Sequence, residues 1–516
     1  FKMATPTGNS RKIIIAKYAI ISRLVVTFLQ ILLNNLIPDH QADAFHQDPL
    51  QNPGFGDLCI ELLLGGLCKW DGAHFLHIAE HGYTTDHMMA FFPLYPGLVR
   101  ALADTLFFPL QMVMQLRSVL LVAGWLLNVL MFTLAAVVLY ELTKRVCKDQ
   151  RIADIAWILY CFNPASIFMT AMYTEATFLL LSFSGMLFLE KRRYLISTIA
   201  FGLGTCARSN GIVSIGFVAY HTVQFSIFVI ARIRSPVKLS TLKKVCRIIV
   251  VGVTRTFHSA AIILFPCALY QIYSYLRICN KEKVISFRKI IEHGMEILFK
   301  SASNRTELSQ TTDNVGDRVP IWCRKSFVIP YSELQAEHWN VGLLNYYEFK
   351  QLPNFMLALP VIILCLHGVW DYCSLKWDHV KVLGLLQPIG RDVKKTDDPI
   401  SQSEGFYSSG VFVYLVHLLV LLVFGVCCMH VQVVTRFLFS SSPVPIWIAS
   451  HIIQSSLKPN GVDTPSPELN GSVQELIPLD IMWRKHLDWK GRLLRGYFLG
   501  YCVIGVALHC NFLPWT

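Results

Sequence analysis

Runs of about 20 mostly apolar residues recur along this chain, and no other feature limits its fold as strongly. They fall near 18–37, 118–141, 152–170, 174–190, 194–209, 211–231, 256–276, 352–370, 410–434 and 497–513. In hydrocarbon every backbone polar group must find a partner within the chain, so such runs predict helices crossing a bilayer about ten times. Composition agrees: 53% of the 516 residues are apolar and only 16% are Asp, Glu, Lys or Arg, against about a quarter charged in a soluble domain. The same figures exclude disordered, collagen-like and coiled-coil chains. The expected fold class is an all-α polytopic membrane protein, one transmembrane domain over 1–516. The first run is long enough to span and reads as an anchor rather than a cleavable signal.

Charge then orients the spans. The net charge is +12, but the basic residues gather in short clusters between apolar runs. These are Lys144, Arg145, Lys148 and Arg151; Lys191, Arg192 and Arg193; and Arg232, Arg234, Lys238, Lys243, Lys244 and Arg247. That is the bias of cytoplasmic loops, and it argues against nucleic acid as the partner. Lys2, Arg11, Lys12 and Lys17 before the first run place the N-terminal side in the cytosol. Residues 38–117 then form the first non-cytosolic loop and 277–351 the second. The second holds many Lys and Arg, but loops beyond about 60 residues escape the positive-inside rule. The sequon Asn304-Arg305-Thr306 suits the same side, and a second sequon begins at Asn470. Residues 284–300 read as an interfacial amphipathic helix. Residues 371–409 form a cytosolic loop with a polar stretch at 391–405, and 457–493 is a variable loop. The apolar piece 444–453 is too short to cross comfortably and reads as re-entrant. Fifteen cysteines make an odd count. Most lie inside apolar runs and none forms a CxxC pair, so no disulfide framework and no zinc ribbon is inferred.

The chemically richest stretch runs from Trp70 to Tyr83. Asp71 suits the N-cap of a short helix that Gly82 would end. On that helix Asp71, His74, Ile78 and His81 share one face. An ordinary helix cap explains Asp71 equally well on spacing alone. His77-Ile78-Ala79-Glu80-His81 also matches H-x-x-E-H, the inverted zincin pattern of a zinc peptidase. That reading needs a third protein ligand that the sequence does not offer, so no metal site is expected. Elsewhere, ionisable and polar groups sit at the ends of apolar runs: Glu175, Arg208, Asn210 and Arg436. Such groups are costly near hydrocarbon and are functional suspects. The topology above sends Asp71, Glu175, Arg208 and Arg436 to the same non-cytosolic face. A transporter would set its charges near the midplane, often within internal repeats, and no repeat is visible. His417, inside an apolar run, reads as a hydrogen-bonded core residue.

Several segments resemble the eukaryotic GPI mannosyltransferase II (PIG-V) family. They are Trp70–Tyr83 with Phe91-Phe92-Pro93, Phe162-Asn163-Pro164-Ala165-Ser166, Arg208-Ser209-Asn210-Gly211, Trp339-Asn340-Val341-Gly342, Gln351-Leu352-Pro353-Asn354-Phe355, His430–Leu438 and His509–Thr516. They run in order from about 36 to 516. Lys69 departs from the Arg that precedes Trp-Asp in that family and would lose bidentate phosphate geometry; the loops at 277–330 and 457–493 also diverge. The resemblance implies a GT-C-type glycosyltransferase of the endoplasmic reticulum membrane with helices in its lumenal loops. It implies transfer of mannose from dolichyl-phosphate mannose to the first mannose of the GPI precursor glycolipid in an α1,6 linkage. It also implies an essential acid at Asp71, binding roles for Trp70, His74, Glu80, His81, Glu175, Arg208, Asn210 and Arg436, and no cofactor beyond the donor. A small accessory membrane subunit is compatible with it, and a transferase of the same fold with another acceptor is the alternative. A β-linked donor and an α-linked product require one inverting displacement. One base on the acceptor hydroxyl is then enough, with a guanidinium to hold the leaving phosphate.

Overall fold

The computed structural model describes residues 8–233, 239–279, 320–325, 328–385, 405–457 and 487–513. Among them there are α-helices and 3-10 turns and no strand. Among the described residues seven helices are long and apolar enough to cross a membrane: Asn9–Leu36, Leu116–Cys147, Ser209–Ala231, Ser240–Cys279, Phe349–Leu375, Ser409–Cys428 and Trp489–Cys510. The Leu116–Cys147 helix is the spine, packed against the first helix, Gln150–Cys161 and Glu175–Glu190.

The three remaining apolar runs form shorter or broken helices. The run at 152–170 is not one helix. It stops at Cys161, because Pro164 has no N–H to donate and pushes its predecessor out of helical geometry. Asn163 caps the break, giving Nδ2–H to the Tyr160 carbonyl at 2.8 Å and accepting the Ala165 N–H at 2.9 Å. A 3-10 turn at Ser166–Met169 follows. The runs at 174–190 and 194–209 form the shorter helices Glu175–Glu190 and Tyr194–Ala207. The apolar piece near 444 is corrected as well. It forms the buried helix Val444–Ser456, separated from Val434–Ser441 by Ser442 and Pro443. These two pieces together run from one end of the bundle to the other instead of returning to the side they left.

The two ends are chemically distinct. At one end Lys12 pairs with Glu141 at 3.2 Å and Arg11 with Asp154 at 3.7 Å. Gln454 donates to Asp149 at 3.1 Å there, and Arg145 reaches the Glu190 carbonyl. The basic clusters at 11–17, 144–151 and 191–193 thus gather at one end, as the charge pattern requires. At the other end residues 38–117 fold into the helices Phe55–Leu64, Asp71–His81 and Leu94–Asp104. Asp57 clamps this loop by accepting from Ser118 Oγ at 2.6 Å and the Gln115 N–H at 2.8 Å.

One disulfide, Cys279–Cys323, ties the end of the Ser240–Cys279 helix to the Ile321–Arg324 turn. Cysteine spacing did not announce it, because its partners lie 44 residues apart in a divergent loop. Disulfides persist in oxidising compartments, so it supports a non-cytosolic 277–351 against the pull of that loop's basic residues. The predicted helix at 284–300, both sequons, 391–404 and most of 457–493 lie outside the described residues.

Candidate active site

The helix carrying the proposed acid spans Asp71–His81. Trp70 is the cap, and Asp71 is the first helical residue rather than the cap itself. Gly82 ends the helix with φ 77°, as expected. Trp70 sits at φ 57°, a region that costs a residue other than glycine of order 1–3 kcal/mol. That strained turn aims the Asp71 side chain back toward the bundle. Gly72 makes the approach possible, since a Cβ there would stand 3.2 Å from the Leu67 carbonyl oxygen and 3.3 Å from the Tyr173 ring.

What the helix meets is built by three remote segments. Arg436, on Val434–Ser441, donates from Nη1 to Asp71 Oδ2 at 2.8 Å. Its Nε lies 3.4 Å from Glu175 Oε1. The same Glu175 oxygen accepts from Arg208 Nη1, which also reaches Thr174 Oγ1 at 3.2 Å. The Arg436 guanidinium lies over two rings, 5.1 Å from the Phe168 centroid and 5.3 Å from that of Tyr173. Glu175 is wholly buried, while 30% of the Asp71 side chain is exposed. Residues 71, 175, 208 and 436 thus form one alternating chain of charges, open to solvent at Asp71. Burial opposes ionisation of Asp71, but the charge and hydrogen bond of Arg436 outweigh it and hold the carboxyl below its usual range.

The other expected residues divide. His74 is buried between the rings of Phe45 and Phe91, both 4.6 Å away. Burial lowers its pKa to about 4 against the pull of Asp71, so it stands neutral beside the acid. Asn210 donates to Ser441 Oγ at 2.8 Å and ties the Arg208 segment to that of Arg436. The Trp70 ring meets Phe512 at 5.7 Å, with its indole N–H buried and unpaired. Glu80 and His81 do not join. Glu80 pairs with Arg117 at 2.9 Å, and His81, half exposed, lies 3.5 Å from Glu80. His77 contacts Thr84 at 2.9 Å. Among the described residues no group of three His, Cys, Asp or Glu side chains could hold a metal, so the H-x-x-E-H segment has no third ligand there. Lys69 faces away, paired with Asp39 at 2.7 Å and set against Phe512. It lines a cleft of about 420 Å³ on the far side of the helix, with Glu61, Arg117 and Ala73; Asp71 does not line it.

Sequence reasoning missed the aromatic floor of Phe168 and Tyr173, and also His509, whose ring lies 5.4 Å from each of them. The signal was faint: Phe168 follows the Asn-Pro break by four residues, and His509 opens the terminal segment.

Comparison with known proteins converges on one family. A family model described as Mannosyltransferase (PIG-V) matches residues 11–516. GPI alpha-1,6-mannosyltransferase 2 of Mus musculus is 38% identical over 515 residues, covering 97% of this chain and 98% of that protein. The Homo sapiens protein of the same name is 37% identical over 531 residues, covering 99% and 100%. GPI mannosyltransferase 2 of Drosophila melanogaster is 30% identical over 509 residues, covering 97% and 99%.

Proposed function

The chain belongs to the mannosyltransferase (PIG-V) family, and from that premise we propose that it transfers mannose from dolichyl-phosphate mannose to a GPI precursor. The acceptor is the first mannose of that precursor, the linkage α1,6, and the setting the lumenal face of the endoplasmic reticulum membrane. The names of the relatives support mannosyl transfer in GPI synthesis and the α1,6 linkage. One observation carries the chemistry: the contact of Asp71 with Arg436 at 2.8 Å, where segments more than 350 residues apart meet.

In the proposed reaction the acceptor's 6-hydroxyl oxygen attacks the anomeric carbon of the donor. The bond from that carbon to the phosphate oxygen breaks, and the hydroxyl proton passes to Asp71. Dolichyl phosphate departs with the electron pair, and the β-linked donor gives an α-linked product. A base held ionised by a cation is a weak base, and the geometry supplies a remedy. Arg436 and Arg208 are divided between two carboxylates in the resting site. An arriving phosphate competes for both guanidiniums, whose planar forks bind phosphate oxygens two at a time. Asp71 is then released as a stronger base at the moment the leaving group is gripped. Its partial exposure leaves room for the acceptor hydroxyl, while buried Glu175 keeps the two arginines in register.

The test is reconstitution of the purified protein in vesicles with labelled dolichyl-phosphate mannose and the one-mannose GPI precursor. The expected product is the two-mannose species with an α1,6 bond. Use of another sugar donor, or elongation of a different intermediate, defeats this assignment.

A further inference from the structure

Arg23 lies near the middle of the first membrane-spanning helix, wholly buried, with no carboxylate within ion-pair distance among the described residues. A guanidinium keeps its charge in protein interiors, and a charge at that depth is costly and usually functional. Its contacts among the described residues are to neutral groups. Nη1 donates to the Ser166 carbonyl at 2.7 Å and to Thr170 Oγ1 at 3.1 Å. Nη2 donates to the Cys161 carbonyl at 2.8 Å and to Ser166 Oγ at 2.6 Å. Nε lies 3.3 Å from Ser22 Oγ, and the Phe132 ring backs the guanidinium at 3.8 Å.

These contacts have a common location. Cys161 is the last residue of the helix that Asn163 and Pro164 break, and Ser166 opens the turn beyond. Carbonyls freed by such a break have no water to turn to, and one planar fork satisfies two of them together. The turn so held, Ser166–Met169, contains Phe168, and Tyr173 and Glu175 follow it within two helical turns of chain. These three residues form the surface on which Arg436 rests. Two neutral donors could fill the same carbonyls without burying a charge, so hydrogen bonding alone does not account for an arginine. With Arg23 included, the interior around the break holds three guanidiniums (Arg23, Arg208, Arg436) against two carboxylates (Asp71, Glu175). One positive charge is left in excess.

We propose that Arg23 is a positioning residue for the anion subsite: it fixes the break beneath Arg436 and leaves the interior one positive charge that a lipid-linked phosphate balances. It touches neither the acid nor the reacting atoms. The proposal rests on the phosphate donor argued above.

The experiment measures kcat, both KM values and inhibition by dolichyl phosphate for full-length wild type, Arg23→Met and Arg23→Lys in microsomes, normalised to protein amount. For Arg23→Met the expected result is an inhibition constant and a donor KM raised about tenfold, the scale of one lost charge-assisted interaction, with acceptor KM unchanged. Arg23→Lys keeps the charge but not the fork. It should raise the inhibition constant and donor KM only about threefold, short of the effect of Arg23→Met, with acceptor KM unchanged. If Arg23→Met does not accumulate, Thr170→Val removes one anchor and keeps the charge. It should raise donor KM about threefold, less than a full charge-assisted contact, and leave acceptor KM alone. Unchanged inhibition in Arg23→Met, equal rises in both KM values, or donor KM unmoved in Thr170→Val overturns the proposal. Failure of dolichyl phosphate to inhibit the wild type defeats the donor assignment instead, whatever the variants do.

Discussion

The Asp71–His81 helix presents two faces that look equally chemical as text and differ completely in space. One face starts at Asp71, which contacts Arg436 and through it Glu175 and Arg208. The other carries His77 and Glu80, which with His81 complete a recognisable metalloprotease pattern, yet each of the three is occupied by Thr84, Arg117 or its own neighbour. The difference lies outside the helix. A site arises where distant elements deliver charges that cannot otherwise be tolerated in a dry interior. On the other face Glu80 and Arg117, both largely buried, neutralise each other as a pair and leave no charge for a further element to meet. Spacing within one helix reports neither situation.

The comparison can be broken most forcefully at Asp71. Asp71→Asn should cost about 10²–10⁴-fold in transfer rate, the usual worth of a positioned base, without loss of protein. Next comes Arg436→Gln, expected to lower kcat by about 10²-fold, as for loss of one preorganised group that stabilises developing charge. Arg436→Lys should recover only part of this, since an ammonium cannot serve Asp71 and Glu175 together.

A pH profile sharpens the same point. Arg436 lowers the Asp71 pKa, so the ionised base survives as pH falls through the ordinary carboxylate value of about 4, and the acidic limb of kcat/KM lies below it. Removing Arg436 removes the stabilising charge, so the limb should move to higher pH in Arg436→Gln. A limb that stays in place would mean that the pair is not coupled in the working enzyme. The smallest effects belong to the other face. His77→Phe and Glu80→Gln should each leave transfer within about threefold of wild type, as for substitutions away from a site; a loss of 10²-fold in either would place chemistry on that face after all.

Much of this was legible in the sequence, for physical reasons. Apolar length and basic clusters fixed the helical class and the sidedness, because bilayer thickness and charge bias act on local sequence. Convergence of residues 71, 175, 208 and 436 could be anticipated only as a shared face, since their contacts depend on how helices pack. Three things stayed hidden. Asn163-Pro164 breaks a crossing whose apolar run looks continuous, and Val434–Ser441 adds to Val444–Ser456 the length that the short piece 444–453 lacks. Cys279 and Cys323 pair across a divergent loop. Arg23 is a single basic residue in an apolar run, and nothing in its spacing tells which carbonyls it fills.

The most direct trial of the central claim is single-turnover transfer in vesicles holding equal amounts of wild type, Asp71→Asn and Asp71→Glu, with donor and one-mannose acceptor saturating. If a carboxylate at this position takes the acceptor's proton, Asp71→Asn falls by at least about 10²-fold and Asp71→Glu keeps measurable turnover. Asp71→Asn turning over within a few-fold of wild type would contradict the account.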